Sequence, residues 1–185
     1  MSKRFLVAGV WGGVVLIVWV FVVDGLLGVE RSVEMKRIPN ERVVYETLRR
    51  NIAEPGGYLS NPELTPDRVY PGDAPVFAIR YSGVGHASAG QEMFIGLLVC
   101  LVAPVLGAWL LSKTSAETQA SYPQKVLFFV VLGVVVALFG DIGRFGIGGY
   151  PMRDALALAL RDTASWALVG LVVAWRFRRV VAAEE

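Results

Sequence analysis

Two kinds of pattern divide the chain. Four long runs are apolar at nearly every position, and the stretches between them mix polar and apolar residues at short periods. Residues 5–23 carry no charge and have about the length that a helix needs to cross a hydrocarbon core of roughly 30 Å. Residues 93–111 are again uncharged and of spanning length. Residues 126–140 are shorter, and the crossing is completed by the charged stretch that follows, up to residue 145. Residues 155–175 close the set, with Arg161 and Asp162 about two turns inside the start. The pattern predicts four transmembrane helices, at about 5–23, 92–112, 125–145 and 154–176. A signal peptide competes for the first run, because Lys3 and Arg4 make a basic flank. Its apolar stretch exceeds the roughly 7 to 15 residues of such segments, and no small-x-small site ends it. Retention as an anchor is the expectation.

Between the first two runs the periodicity changes. Over residues 38–52, Val44, Leu48 and Ile52 recur four apart, which predicts an amphipathic helix opened by Pro39 or Asn40. Arg42, Glu46 and Arg50 lie four apart on the opposite face, where they keep it wet. Pro55-Gly56-Gly57 is expected to stop that helix. Pro62, Pro66, Pro71 and Pro75 then punctuate a run that suits neither a helix nor a central strand. Residues 76–81 (Val-Phe-Ala-Ile-Arg-Tyr) favour a strand, paired with Tyr58-Leu59 or with residues 32–35. The insertion at 29–91 therefore reads as a small α+β cap. It is too small to be stable alone and has no disulfide, so it should dock on the helices or on a partner.

Composition agrees with a bilayer setting. Hydrophobic residues make up 55% of the chain against 18% charged, and the mean hydropathy is +0.53. Eighteen basic against sixteen acidic residues leave a net charge of +2, with no basic stripe for a phosphate backbone, so no nucleic-acid partner is expected. One Cys and one His exclude, within a single chain, a disulfide, a Cys/His zinc site and a bis-histidine haem; no cofactor is expected. Lys3, Arg4, Lys113, Lys125, Arg176, Arg178 and Arg179 all fall on one side of four spans. By the positive-inside rule that side is the cytoplasm, so both termini lie inside and the cap outside. Trp109 and Trp175 sit near the same ends, as an interfacial belt would.

Five charged residues fall at the outer ends of the spans: Asp24, Asp141, Arg144, Arg161 and Asp162. An ion at the bilayer centre costs about 2.5 kcal/mol or more, so these groups should turn inward and pair. Asp141 with Arg161 and Arg144 with Asp162 are the expected pairs, because neighbouring residues on a helix do not face each other. As a site, the cluster reads either as structural pairing or as an ion or proton site. The first is favoured, since no acidic residue or histidine continues a path through the inner halves of the spans. Gly9 with Gly13, Ala103 with Gly107 and Gly133 with Ala137 are small-residue pairs four apart that suit close helix packing. Pro104 removes one intrahelical hydrogen bond and should kink the second span. Cys100 suits a small apolar core position.

Other chemistry is thinly supported. Ser82 and His86 lie in a small-residue stretch before the second span, but lack a third orienting group and an oxyanion hole. No catalytic, cofactor-binding or metal-ligating residue is assigned, and the chain is not expected to be an enzyme. The glycines at 140, 143, 146, 148 and 149 follow no strand and precede no Lys-Ser/Thr pair, so they predict a flexible outer turn rather than a phosphate-binding loop. The mixed basic and apolar segment from Arg176 should anchor the tail at residues 180–185 near lipid headgroups.

The stretch Glu41-Arg42-Val43-Val44 up to Leu48, then Gly57-Tyr58 with Pro62, then Ala74-Pro75-Val76-Phe77-Ala78, resembles the extracytoplasmic part of small uncharacterised bacterial inner-membrane proteins. The resemblance covers mainly residues 38–95 and implies a bacterial inner membrane. The fold class expected is an all-α membrane four-helix bundle (1–28 and 92–179) with a small α+β extracytoplasmic insertion (29–91). The function expected is non-catalytic: an accessory or interaction subunit whose partners are the lipid bilayer and another membrane or periplasmic protein, or a second copy. The alternative is a small homo-oligomeric transporter or channel subunit using the charged cluster.

Overall fold

The computed structural model describes residues 4–60, 75–146 and 149–182. The proline-punctuated run 61–74, Gly148 of the outer turn and the last three residues lie outside them. Four helices are long and apolar enough to cross a membrane: α1 (Arg4–Val20, continued by a π-helical turn, Phe21–Leu26), α4 (Ala89–Leu111), α6 (Tyr122–Gly140) and α7 (Met152–Ala182). Between them the described residues form short helices α2 (Val29–Glu34), α3 (Glu41–Asn51) and α5 (Ala116–Ala120) and antiparallel strands β1 (Gly56–Ser60) and β2 (Phe77–Tyr81). The chain is thus a helical bundle with a small mixed insertion.

The helices pack in the spatial order α4, α1, α7, α6. What sets this order is how closely the backbones approach. A Cβ at Gly9 would lie 2.5 Å from the Cα of Val105, and one at Gly13 would lie 2.9 Å from the Cα of Leu101. Gly12 faces Val173 and Val169 of α7, Gly107 lies against Phe129 and Trp166, and Gly170 lies against Phe129. Gly133 meets Trp166 and Thr163, and Ala137 of the same helix is buried. Ala103 is half-buried. Phe129 is fully buried at the centre, stacked at 6.2 Å on Trp166 and edge-on to Phe128 at 5.4 Å. With little apolar driving force between helices in lipid, close contacts of this kind hold a bundle together.

The first turns of α1 and the last turns of α7 lie at one end of the bundle, since Arg176 of α7 stands 4.4 Å from the ring of Trp11; it also stands 5.1 Å from the ring of its neighbour Trp175. Lys125, at the same end, is 2% exposed. Ser115 and Ser121 cap α5 and α6 by accepting the backbone N–H groups of Thr118 and Gln124. Helix α4 continues through Pro104. Where Pro104 leaves the Cys100 carbonyl without its helical donor, Gly13 of α1 fills the space: a Cβ there would sit 3.1 Å from that oxygen. Helix α7 runs to Ala182, beyond the expected end, because nothing after Trp175 breaks a helix.

The cap differs from expectation in two places. Residues 32–35, one of two candidate partners for the second strand, belong instead to helix α2 and its end, and β2 pairs with β1 in the register Gly56 to Tyr81 and Ser60 to Phe77. Gly56-Gly57 therefore open a strand, and α3 has already ended at Asn51. Gly83 makes the bend after β2, with φ +77° and Pro55 packed where its Cβ would be.

Candidate functional site

The charged end of the bundle is assembled by the last turns of α1, by α2, by the turn after α6 and by the first turns of α7. In α1 the ladder slips to i→i−5 bonds, Leu27 N–H donating to the Val22 carbonyl at 2.9 Å, and Asp24 sits inside this widened π turn. Such turns recur at functional positions because they re-aim side chains that a regular helix would place elsewhere. Here the carboxylate of Asp24 accepts from Arg161 Nη1 at 3.3 and 3.4 Å and from the backbone N–H of Glu30 at 3.3 Å. Glu30 itself is half-buried, and its carboxyl is held above the usual carboxylate range, first by burial and then by the charge of Asp24, with Arg161 opposing.

Arg161 also turns back on its own helix, donating to Asp162 Oδ1 at 2.9 Å from Nε, with Nη2 at the same distance. Both expected pairs are therefore corrected. Arg161 takes Asp24 and Asp162 in place of Asp141, and Arg144 lies 3.7 Å from Glu34 in place of Asp162. The physical reason is the length and planar fork of the guanidinium, which lets one arginine serve a neighbour in sequence and a facing helix together. Position is fixed from below: Trp19 Nε1–H donates to Ser165 Oγ at 3.0 Å, and Ser165 Oγ–H donates to the Arg161 carbonyl at 2.8 Å. Asp141 is 4% exposed, and its Oδ2 has no hydrogen-bond partner among the described residues.

A second set of contacts ties the cap to the bundle. Tyr150 Oη donates to Glu34 Oε1, the Arg144 guanidinium lies 6.0 Å from the Tyr150 ring, and Lys36 Nζ pairs with Asp154. Burial and the bond to Glu34 push the Tyr150 phenol above its ordinary range. Sequence reasoning missed Trp19, Glu30, Glu34, Lys36, Tyr150, Asp154 and Ser165. Only Ser165, four residues after Arg161, carried a local signal; Glu34 and Tyr150 are 116 positions apart.

Elsewhere, Ser82 Oγ accepts from Val84 N–H at 3.5 Å, and His86 opens the turn before α4, exposed and with no bond to Ser82 among the described residues. Among the described residues, no group of three or more His, Cys, Asp or Glu is placed to hold a metal ion. The arrangement can fasten helices to one another and the cap to the helices. Compared with protein families, curated proteins and solved structures, the chain has no match.

Proposed function

We propose that this is a non-catalytic, multi-pass protein of a bacterial inner membrane, with both termini cytoplasmic, acting as an accessory or assembly subunit through its cap. One observation carries the reading. Among the described cap residues, 29–60 and 75–88, only Val33 is buried, while Val43, Tyr45, Leu59 and Phe77 are each more than half exposed. A folded segment that leaves large apolar side chains in water supports a protein partner. The surface continues into the bilayer, because residues 89–99 of α4 are exposed on every side, Met93 and Phe94 most of all. A partner that covers both would itself have a membrane helix.

Photo-crosslinkers placed at Phe77 and at Phe94 in the protein's own membrane test this. Crosslinks to one heterologous membrane protein from both positions are the expected result. Crosslinks only to a second copy would overturn the accessory role and favour a homo-oligomeric transporter or channel subunit built on Asp24, Asp141, Arg144, Arg161 and Asp162. The buried Oδ2 of Asp141, without a hydrogen-bond partner among the described residues, is what keeps that second reading in view. Asp141→Asn separates the two: altered flux in an intact assembly favours transport, and lost assembly with no change in any flux favours structure.

A further inference from the structure

Where the cap meets the bundle, β2 and the loop joining α6 to α7 border a cavity of about 440 Å³. Its charged lining is Arg80 from β2, Arg144 from the loop and Glu34 from α2, with Tyr150 beside them. The only carboxylate among these is already engaged, accepting from Tyr150 and facing Arg144 at 3.7 Å. Arg80 forms no ion pair among the described residues. Among the described residues, two guanidinium groups reach the cavity from separate elements against one carboxylate, an excess of one positive charge.

The loop is shaped to hold this wall in place. Tyr150 N–H donates to the Arg144 carbonyl at 2.9 Å, Phe145 and Tyr150 form an isolated bridge, and Gly149 passes so close to that carbonyl that any Cβ would collide with it. Depth matters as well as charge. Arg144 ends one span and Met152 begins the next, so the cavity opens at the level where lipid headgroups lie in the leaflet facing the cap.

We infer that this cavity binds one phosphate group of single negative charge, gripped by Arg80 and Arg144, with an anionic phospholipid headgroup as its source. The planar fork of arginine matches a phosphodiester in two directions at once, and a residual charge of one sign selects an anionic over a zwitterionic headgroup. The same chemistry would accept free phosphate, and the experiment separates the sources. The inference rests on the bundle spanning a bilayer and not on the accessory role, whose oligomeric mass is read independently in the same spectrum.

The full-length protein is extracted in mild detergent, equilibrated with phosphatidylglycerol, phosphatidylcholine or inorganic phosphate, and examined by native mass spectrometry. One phosphatidylglycerol retained per chain, in preference to phosphatidylcholine, is the expected result. Arg80→Gln should weaken retention about tenfold or more, the loss of a charged hydrogen-bond donor. Arg80→Lys should recover part of it, and Arg42→Gln, on the exposed face of α3, should match the wild type. Saturable binding of inorganic phosphate that Arg80→Gln abolishes, without lipid retention, keeps the phosphate site and assigns it to a soluble source. Retention unchanged in Arg80→Gln, or binding of neither probe, overturns the site. A thermal melt of Arg80→Gln matching the wild type shows that lost binding is not lost folding.

Discussion

The two ends of this bundle are held by different physics. At the end where α1 begins and α7 finishes, helices meet through glycine: Gly9 and Gly13 against Val105 and Leu101, Gly12 against Val173, Gly170 against Phe129. At the cap end, α4 stands free of its neighbours over residues 89–99, and the remaining elements are joined by charge: Asp24 to Arg161, Glu34 to Arg144, Lys36 to Asp154. Shape complementarity in lipid is short-ranged and leaves no room for exchange of partners. Ion pairs and hydrogen bonds at the membrane surface tolerate water and rearrangement. One end is thus fixed by close packing and the other held by polar groups, and the exposed apolar surfaces and the cavity lined by Arg80 and Arg144 lie at the second.

The sharpest way to break the contrast is to attack the glycine end. Gly9→Leu places a branched side chain where even a Cβ meets the Val105 backbone at 2.5 Å, so α1 and α4 must separate. The expected loss is about 3 kcal/mol, the upper part of the range for overpacking, read as a lowered midpoint in detergent unfolding. If the variant melted like the wild type, close backbone approach would not be what holds this end.

Next in size is the charge at the cap end. Asp24→Leu leaves Arg161, whose side chain is 20% exposed, with Asp162 as its one remaining ion-pair partner among the described residues. About 2 kcal/mol should be lost, below the figure for a fully buried pair because water reaches this depth in part. The double variant with Arg161→Leu should recover a substantial share, since an unpaired ion is worse than an apolar pair. A double variant as unstable as the sum of the singles would mean that the two residues act separately.

Glu34→Gln tests the tether. It removes the partner of Arg144 and exchanges a charged acceptor of the Tyr150 hydroxyl for a neutral one, at a cost of about 1 kcal/mol. The change should be local: faster amide exchange in α2 and the two strands, with α6 and α7 unaltered. Uniform protection changes along the whole chain would show that the cap and the bundle open as one unit.

This contrast was only half legible in the sequence. The four spans were readable because two uncharged runs of about twenty residues, and two predominantly apolar runs with charges toward one end, can satisfy their backbone in lipid only as helices. The amphipathic helix and the strand at 77–81 were readable because their periods are local, and Tyr58-Leu59 stood among the strand's possible partners. The ion pairs were not, for two physical reasons. Consecutive helices were assumed to share their charges, whereas α1 lies between α4 and α7 and brings Asp24 to Arg161 across 137 positions. The π turn at Phe21–Leu26 then rotates Asp24 in a way no periodicity announces. Residues 32–35 stood as the other possible partner, but Ser32 to Glu34 are the second half of helix α2, whose Val29 and Val33 stand four apart on one helical face.

The smallest effect, and the one with a sign that discriminates, concerns Glu30. Its carboxyl is held above the usual carboxylate range by burial, then by Asp24, with Glu34 and Asp162 adding and Arg161 opposing. The folded chain therefore binds this proton more tightly than the unfolded chain does. The stability linked to it is fully present below the ordinary carboxylate range and is lost as pH rises through the higher folded value. Glu30→Gln cannot ionise, so it should be as stable as the wild type in acid and slightly more stable near neutrality, while the backbone bond from residue 30 to Asp24 remains. Melting both proteins at about pH 4 and about pH 7 gives the comparison, with the gap opening at the higher value. A gap of opposite sign would mean that Glu30 is a partner of Arg161 in its own right, and that the cap end is held by one more ion pair than the geometry shows.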